Sequence, residues 1–352
     1  MELDKDRKIT VMAHRGYAGK YPENTMLAFK RAWKTGCDAI ELDVHVSKDG
    51  ELVIMHDETV NRTTGGSGQI RNMTLEELKG LNAAAHFTGT LPPGIQGCSI
   101  PTLLEYLTWA KNKPFYTNIE LKDNKYYYTG IERKVLDMVK QLGMSNRVIL
   151  SSFNHASLMH AKEFAPAIRM GALCERPIGN AGTYVKMCGL QFLHPNMLKL
   201  NARTVKECHK KGILVNVWTP DTREEMLAML ELGVDGLITD QPKRALNLLA
   251  ELRGERPPKP AASAAEAGTE AAAGEAGAAA AEAGAGTAPG REQIVIGLPV
   301  VPTPEEAKDP EFAGMEAPEP DHPVNPEGPS VPEPEAGPSA PDVPDDGETN
   351  AE

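Results

Sequence analysis

Residues 9–44 read ITVMAHRGYAGKYPENTMLAFKRAWKTGCDAIELDV, and the order of patterns in them decides the fold. The apolar run at 9–13 has the length and composition of a strand, and residues 25–35 repeat their apolar positions at helical spacing. Asn24 or Thr25 supplies the cap at the helix start. Gly36 follows the last turn, where a left-handed residue closes a helix, and a second strand-like run occupies 39–44.

The alternation continues outward from this stretch. Strand-like runs recur at 115–121, 148–151, 168–173, 190–194, 213–218 and 236–239. Helical patterns lie between them at 131–142, 155–163, 202–211, 223–232 and 242–252. Asp221 or Thr222 caps the helix at 223, and Gly143, Gly212 and Gly233 stand just past others. Eight strands, most followed by a helix, predict a parallel sheet, and about 250 residues suit a closed (β/α)8 TIM barrel. A doubly wound open sheet is the alternative, but no GxGxxG follows the first strand. One run, 51–55, is left over. It follows Lys48-Asp49-Gly50, a hairpin signal, and should return antiparallel along the second strand. A two-residue turn at Asp49-Gly50 sets Asp43 opposite His56, and a longer turn shifts that pairing by one position.

Composition divides the chain into a barrel at 1–253 and a tail at 254–352. The tail is mostly Ala, Gly, Glu and Pro, in runs such as AASAAEAGTEAAAGEAG from Ala261. Too few large apolar side chains remain there to offset the entropy of ordering a backbone, so the tail is expected to be disordered. An apolar island at 294–301 could dock on the barrel or a partner, or be solvated linker; the tail's partner is unknown. The net charge of −12 is also uneven: 254–352 hold 21 acids against 4 bases, leaving 28 acids and 33 bases to the first 253 residues. A mildly basic body suits an anionic substrate, while the acidic tail and the lack of a concentrated basic patch argue against nucleic acid. Cys37, Cys98, Cys174, Cys188 and Cys208 form no CxxC pair and read as free thiols in a reducing compartment. No signal peptide and no 18-residue apolar run is present, so a cytoplasmic protein without a transmembrane segment is predicted.

Four clusters sit at strand ends: His14-Arg15-Gly16, Glu41-Leu42-Asp43, His56-Asp57 and Glu120-Leu121-Lys122. In a barrel the C-terminal strand ends share one mouth. Alternate side chains on a strand share a face, so Glu41 pairs with Asp43 and Glu120 with Lys122. Three converging carboxylates repel one another unless a cation relieves them, and all-oxygen ligation favours Mg²⁺ or Ca²⁺ over zinc. Two imidazoles offer proton transfer near neutrality, and Arg15 and Lys122 suit an anion. Together this is the inventory that phosphodiester hydrolysis requires.

The segment AHRGYAGKYPENTMLAFKRAWKTGCDAIELDVHVSKDGELVIMHDETVNRTTGGSG resembles the N-terminal signature of the glycerophosphodiester phosphodiesterases. The likeness continues through NIELK at 118–122, VNVWT at 215–219 and GVDGLITDQP at 233–242, spanning about 9–250. It implies a TIM barrel that hydrolyses glycerophosphodiesters to sn-glycerol 3-phosphate and an alcohol. On this sequence it makes His14 and His56 the acid–base pair and Glu41, Asp43 and Glu120 the metal ligands. Arg15 and Lys122 would hold the phosphate, and Trp218 would line the glycerol pocket. It also leaves room for a cyclic glycerophosphate formed by the substrate's own 2-hydroxyl. The alternatives are a lysophospholipase D or cyclising phosphodiesterase on the same barrel, with an apolar surface such as 94–100 beside the cleft, and a non-catalytic scaffold with a binding tail.

Other candidates carry less. Asn24 and Thr25 read as a helix cap rather than substrate contacts. Arg62-Thr63-Thr64 with Gly65, Gly66 and Gly68 either bind an anion or order the loop after His56. Residues 83–99, rich in Gly and Pro, are expected to cover one side of the cleft. Of the remaining histidines, His155 and His194 lie at or just past strand ends and merit inspection.

Overall fold

In the computed structural model, which describes residues 7–126 and 128–256, the opening stretch forms β1 (Thr10–Ala13), α1 (Met26–Thr35) and β2 (Ala39–Val46). Thr25, not Asn24, is the cap: its hydroxyl accepts the Ala28 N–H at 3.2 Å, a bond that contributes about 1 kcal/mol to a helix start. Gly36 closes the helix with φ of 83°. The chain continues through β3 (Leu52–Ile54), α2 (Leu75–Lys79), α3 (Leu103–Ala110) and β4 (Tyr116–Leu121). Three strand–helix pairs follow: α4 (Ile131–Gln141) leads to β5 (Val148–Ser152), α5 (His155–Phe164) to β6 (Arg169–Cys174), and α6 (Ala181–Met187) to β7 (Phe192–Pro195). The last elements are α7 (Ala202–Lys210), β8 (Leu214–Trp218), α8 (Arg223–Leu232), β9 (Gly236–Thr239) and α9 (Pro242–Arg253).

Eight of these strands are parallel and close into a barrel, because β1 pairs with β9 on one side and β2 on the other. The period of two sorts each strand. Ile40, Leu42 and Val44 belong to the large core cluster together with apolar residues of the surrounding helices. Ala39 shares a smaller cluster with Met12, Ile149, Phe192 and Ile238, which fills the barrel interior. Glu41 and Asp43 continue the face of Ala39 and so point inward. The register sets Asp43 beside Glu120 on β4, and Glu41 beside Asn118.

β3 is the antiparallel return expected from the leftover run, but its register differs from the two-residue reading. The loop has three residues: the Ser47 N–H donates to Glu51 O at 2.9 Å and the Gly50 N–H to Ser47 O at 3.0 Å. Gly50, with φ of 87°, takes the left-handed conformation such a loop needs. Val44 therefore pairs with Ile54, and Asp43 faces Met55 rather than His56. Between β3 and α3 a satellite core gathers Val53, Met55, Val60, Ile70, Leu78, Ala83 and Ile100. Periodicity did not reveal α2, α3 and α6, which span only 5, 8 and 7 residues.

All five cysteines are free thiols. Among the described residues, no helix is long and apolar enough to cross a membrane. The expected disordered tail and its island at 294–301 lie, apart from residues 254–256, outside the described residues.

Candidate active site

A cavity of about 280 Å³ opens at the C-terminal ends of the barrel strands, lined by His14, Arg15, Glu41, His56, Glu120, Lys122 and Trp218, with Asn118, Phe153 and Glu175 among the rest. Seven of the eight residues singled out from the sequence line it. The eighth, Asp43, is buried beside its wall: one oxygen each from Glu41, Asp43 and Glu120 lie within 4.8 Å of one another.

The carboxylates are held from several elements. Arg15 takes the left-handed conformation, φ 52°, which aims its N–H at Glu41 Oε2, 2.7 Å away. Gly16 follows with φ of 83°, and any Cβ there would lie 2.8 Å from the Ala28 backbone, so the HRG glycine lets the loop close onto α1. Asn24 donates its side-chain amide to Asp43 Oδ2 at 2.7 Å. Lys122 Nζ lies 2.7 Å from Glu120 Oε1 and 3.1 Å from Asp43 Oδ1.

Charge is unevenly compensated in this cluster. Burial raises the Asp43 pKa, but Lys122, Arg15 and His56 outweigh it and hold the carboxyl well below the usual range. Glu41 goes the other way, raised by burial and by Asp43 and Glu120. Burial also pushes Glu120 up to about 7, with Lys122 opposing and Asp43 adding to the rise. Asp43 Oδ1 is buried, with the Lys122 ammonium 3.1 Å away as its partner. Three inward carboxylates that share one buried ammonium, with Glu41 and Glu120 raised by burial and neighbouring charge, fit a hard divalent cation.

Both imidazoles are oriented alike. His14 Nδ1 lies 2.8 Å from Asp240 Oδ1 and His56 Nδ1 lies 2.7 Å from Asp57 Oδ1. A carboxylate only accepts, so each Nδ1 carries the proton and each Nε2 is left for the cavity. Burial lowers the His56 pKa, helped by Lys122 and Arg15 and opposed by Asp43 and Asp57. Burial raises Asp57, but Arg62 and His56 hold it down at about 2. His45 steadies the same strand end from behind, with Nε2 3.2 Å from the His56 carbonyl and Nδ1 3.2 Å from the Tyr128 hydroxyl.

Trp218 packs edge-on against Phe153, ring centroids 5.9 Å apart, and donates its indole N–H to His194 O at 2.8 Å. His194 is buried, with its pKa pulled down to about 3, and accepts from Asn216 Nδ2. His155 bonds Tyr184 and the Leu173 carbonyl. Neither lines the cavity. Residues 83–99 do not line it either: 83 and 86–90 wall a neighbouring groove with 18–23, Arg62 and Thr63. Ile95, Gly97, Cys98 and Ser99 line another groove, beside Lys30, Arg31, Lys34 and Lys79, so the apolar surface expected at 94–100 is not at the cleft.

Asp240 and Glu23 were assigned no role from sequence, and Asn24 only that of a helix cap. Asp240 stands in the DQP that ends the resemblance, and Asn24 and Glu23 in PENT. Short motifs flanking strand ends were the available signal.

A (β/α)8 barrel whose mouth gathers two carboxylate-held imidazoles, three buried acids and two cations defines a phosphoric diester hydrolase. The sequence profile of the Glycerophosphoryl diester phosphodiesterase family matches residues 14–244, and the chain belongs to that family. A glycerophosphodiester phosphodiesterase of Caldanaerobacter subterraneus subsp. tengcongensis is 42% identical over 242 residues, covering 69% of this chain and 98% of its own. One of Bacillus altitudinis is 37% identical over 249 residues, covering 69% and 99%. Among solved structures, a glycerophosphodiester phosphodiesterase of Agrobacterium tumefaciens superposes with a TM-score of 0.58 at 26% identity, covering 67% of this chain and 98% of its own. A phosphodiesterase of Oleispira antarctica, solved with the product sn-glycerol-3-phosphate, gives 0.59 at 26%, covering 68% and 96%.

Proposed function

We propose that the enzyme hydrolyses glycerophosphodiesters to sn-glycerol 3-phosphate and an alcohol, with His14 and His56 as the acid–base pair. The observation that carries this reading is the pair of imidazoles, each tied through Nδ1 to a carboxylate, on one cavity with Arg15 and Lys122. One Nε2 takes the proton from the attacking hydroxyl, of water or of the substrate's own glycerol, as the new P–O bond forms. The other imidazole, protonated, gives its proton to the alcohol oxygen as the old P–O bond breaks; where the glycerol hydroxyl attacked, water then adds to the cyclic phosphate and its ring P–O bond breaks to give sn-glycerol 3-phosphate. Arg15 and Lys122 bind the phosphate oxygens, and Trp218 packs against the glycerol carbons. Glu41, Asp43 and Glu120 would hold Mg²⁺ or Ca²⁺, which supplies neutralisation of charge on the phosphoryl group. The product bound to the Oleispira antarctica relative supports glycerol on the phosphate's retained side. Five free thiols support a reducing, cytoplasmic setting.

Release of glycerol 3-phosphate from glycerophosphoethanolamine or glycerophosphocholine, with Mg²⁺, Ca²⁺ or EDTA, tests the reading. Turnover is expected with one of the metals and loss of it with EDTA, His14→Ala or His56→Ala. No turnover under any condition, or full activity in both alanine variants, overturns it. A cyclic glycerophosphate that accumulates as the end product would redirect the reading to a cyclising phosphodiesterase.

A further inference from the structure

Arg62 belongs to the RTT stretch, and the roles proposed above leave it unassigned. Its guanidinium spends four of its five N–H groups on two carboxylates. Nε and Nη2 donate to Asp57 at 2.7 and 3.1 Å, while Nη1 and Nη2 donate to Glu23 at 2.8 and 2.7 Å. Each carboxylate leads on to the active site. Asp57 Oδ1 accepts the His56 Nδ1–H at 2.7 Å, and Glu23 Oε1 accepts from Arg15 Nη1 at 3.0 Å. The loop itself is bonded internally: Thr64 donates to Val60 O and receives the Gly66 N–H, and the Gly68 N–H donates to Asn61. These bonds leave Arg62 as the loop's link to the site rather than an anion ligand.

We propose that Arg62 is a positioning residue that couples proton transfer at His56 to phosphate binding at Arg15, through Asp57 and Glu23. The proposal rests on the roles assigned above to those two residues. A carboxylate beside a part-exposed imidazole is free to rotate about its last bond. Two N–H groups of a rigid fork fix the Asp57 plane and, with it, the tautomer and orientation of His56. On the other side, Glu23 divides its charge between two guanidinium groups. Without Arg62 it would bind Arg15 alone and compete with substrate phosphate. Lysine supplies the charge but not the fork, so it can relieve Glu23 without orienting Asp57.

The test compares Arg62→Ala, Arg62→Lys and Arg62→Gln with wild type by thermal unfolding, steady-state kinetics on glycerophosphoethanolamine, and ¹⁵N NMR of the histidine rings. A part-exposed ion pair adds little to stability, so the variants should fold. Arg62→Ala is expected to lower kcat about 10- to 100-fold and raise KM several-fold. Arg62→Lys should restore KM but not kcat. His56 should be the Nδ1–H tautomer in wild type and a mixture in Arg62→Ala. Asp57→Asn and Arg62→Ala should be non-additive in kcat. Kinetics within about twofold of wild type, an unchanged His56 tautomer, or full rescue by lysine would each overturn the proposal. An inactive wild type would sink the functional reading instead, and the NMR comparison would still decide the role of Arg62. If alanine prevents folding, the glutamine and lysine variants carry the same comparisons.

Discussion

Asp240 Oδ1 lies 2.8 Å from His14 Nδ1, so the residue after the last barrel strand orients the residue after the first. The contact exists because β9 and β1 are neighbours in the closed barrel. Asp240 is itself fixed, its N–H donating to Asp221 Oδ1 at 2.8 Å. Burial raises its pKa, but His14 outweighs this and keeps the carboxyl low. Asp240→Asn keeps the shape and removes the charge that selects the Nδ1–H tautomer. Its kcat should fall on the order of 10²- to 10⁴-fold with KM nearly unchanged. Steady-state kinetics decide it: a kcat close to wild type would remove Asp240 from the acid–base apparatus.

Asn24 tests the acidic cluster separately. Its amide donates to Asp43 Oδ2 from the buried turn before α1, where Asn24 itself adopts φ of 55°. This bond orients the one carboxyl held firmly ionised, leaving Oδ1 to Lys122. Asn24→Ala should weaken divalent-cation binding about 10- to 100-fold while leaving the fold intact. Isothermal titration with Mg²⁺ and Ca²⁺ reads this directly, and unchanged affinity would make Asn24 a turn residue only.

The barrel was legible because its signals are local. Strand runs such as 39–44 are continuous and apolar, and Gly36, Gly143, Gly212 and Gly233 all take the positive φ expected past a helix. The spacing of Glu41 with Asp43 and of Glu120 with Lys122 was legible for the same reason, since side-chain alternation needs no tertiary information. What failed was decided over longer range or finer geometry. The hairpin register turned on one extra loop residue, placing Met55 opposite Asp43. Asp240 lies 226 positions from His14, and only barrel closure joins them. Thr25 proved the cap where Asn24 was equally eligible, because the chain turns so that Asn24 faces Asp43.

The pH dependence of stability should report the carboxylates. Glu120 is pushed up to about 7 and Glu41 is raised well above its ordinary value, so the folded protein keeps protons there that the unfolded chain has released. Stability from Glu120 therefore falls as pH rises from about 4.5 to 7, and Glu41 acts in the same direction. Buried His45 and His194, pulled down to about 4 and about 3, work in the opposite direction up to about pH 6.5, the ordinary value of an imidazole. The informative quantity is thus the difference in Tm with and without cation at each pH. Mg²⁺ or Ca²⁺ displaces those protons, so the increment should grow with pH and level off above about 7. An increment independent of pH would mean that the cation does not bind at these acids.

Ending the chain after Arg256 separates catalysis from long-range electrostatics. The lining residues of the cavity fall between His14 and Ile238, and α9 is already closed by Gly254, with the Glu255 N–H on Ala250 O. The truncation removes 20 acids and 3 bases, taking the net charge from −12 to +5. Turnover at saturating substrate should stay within about twofold, because no group at the reacting atoms is lost. kcat/KM for an anionic diester should rise at low salt, as repulsion by the acidic segment is replaced by attraction to the barrel. The rise should vanish at about 0.5 M salt, where the Debye length is only a few ångströms. Kinetics across a salt series check both parts. A large loss of kcat would give residues 257–352 a part in the chemistry, and a salt-independent change in KM would mean that they touch the site rather than act through charge.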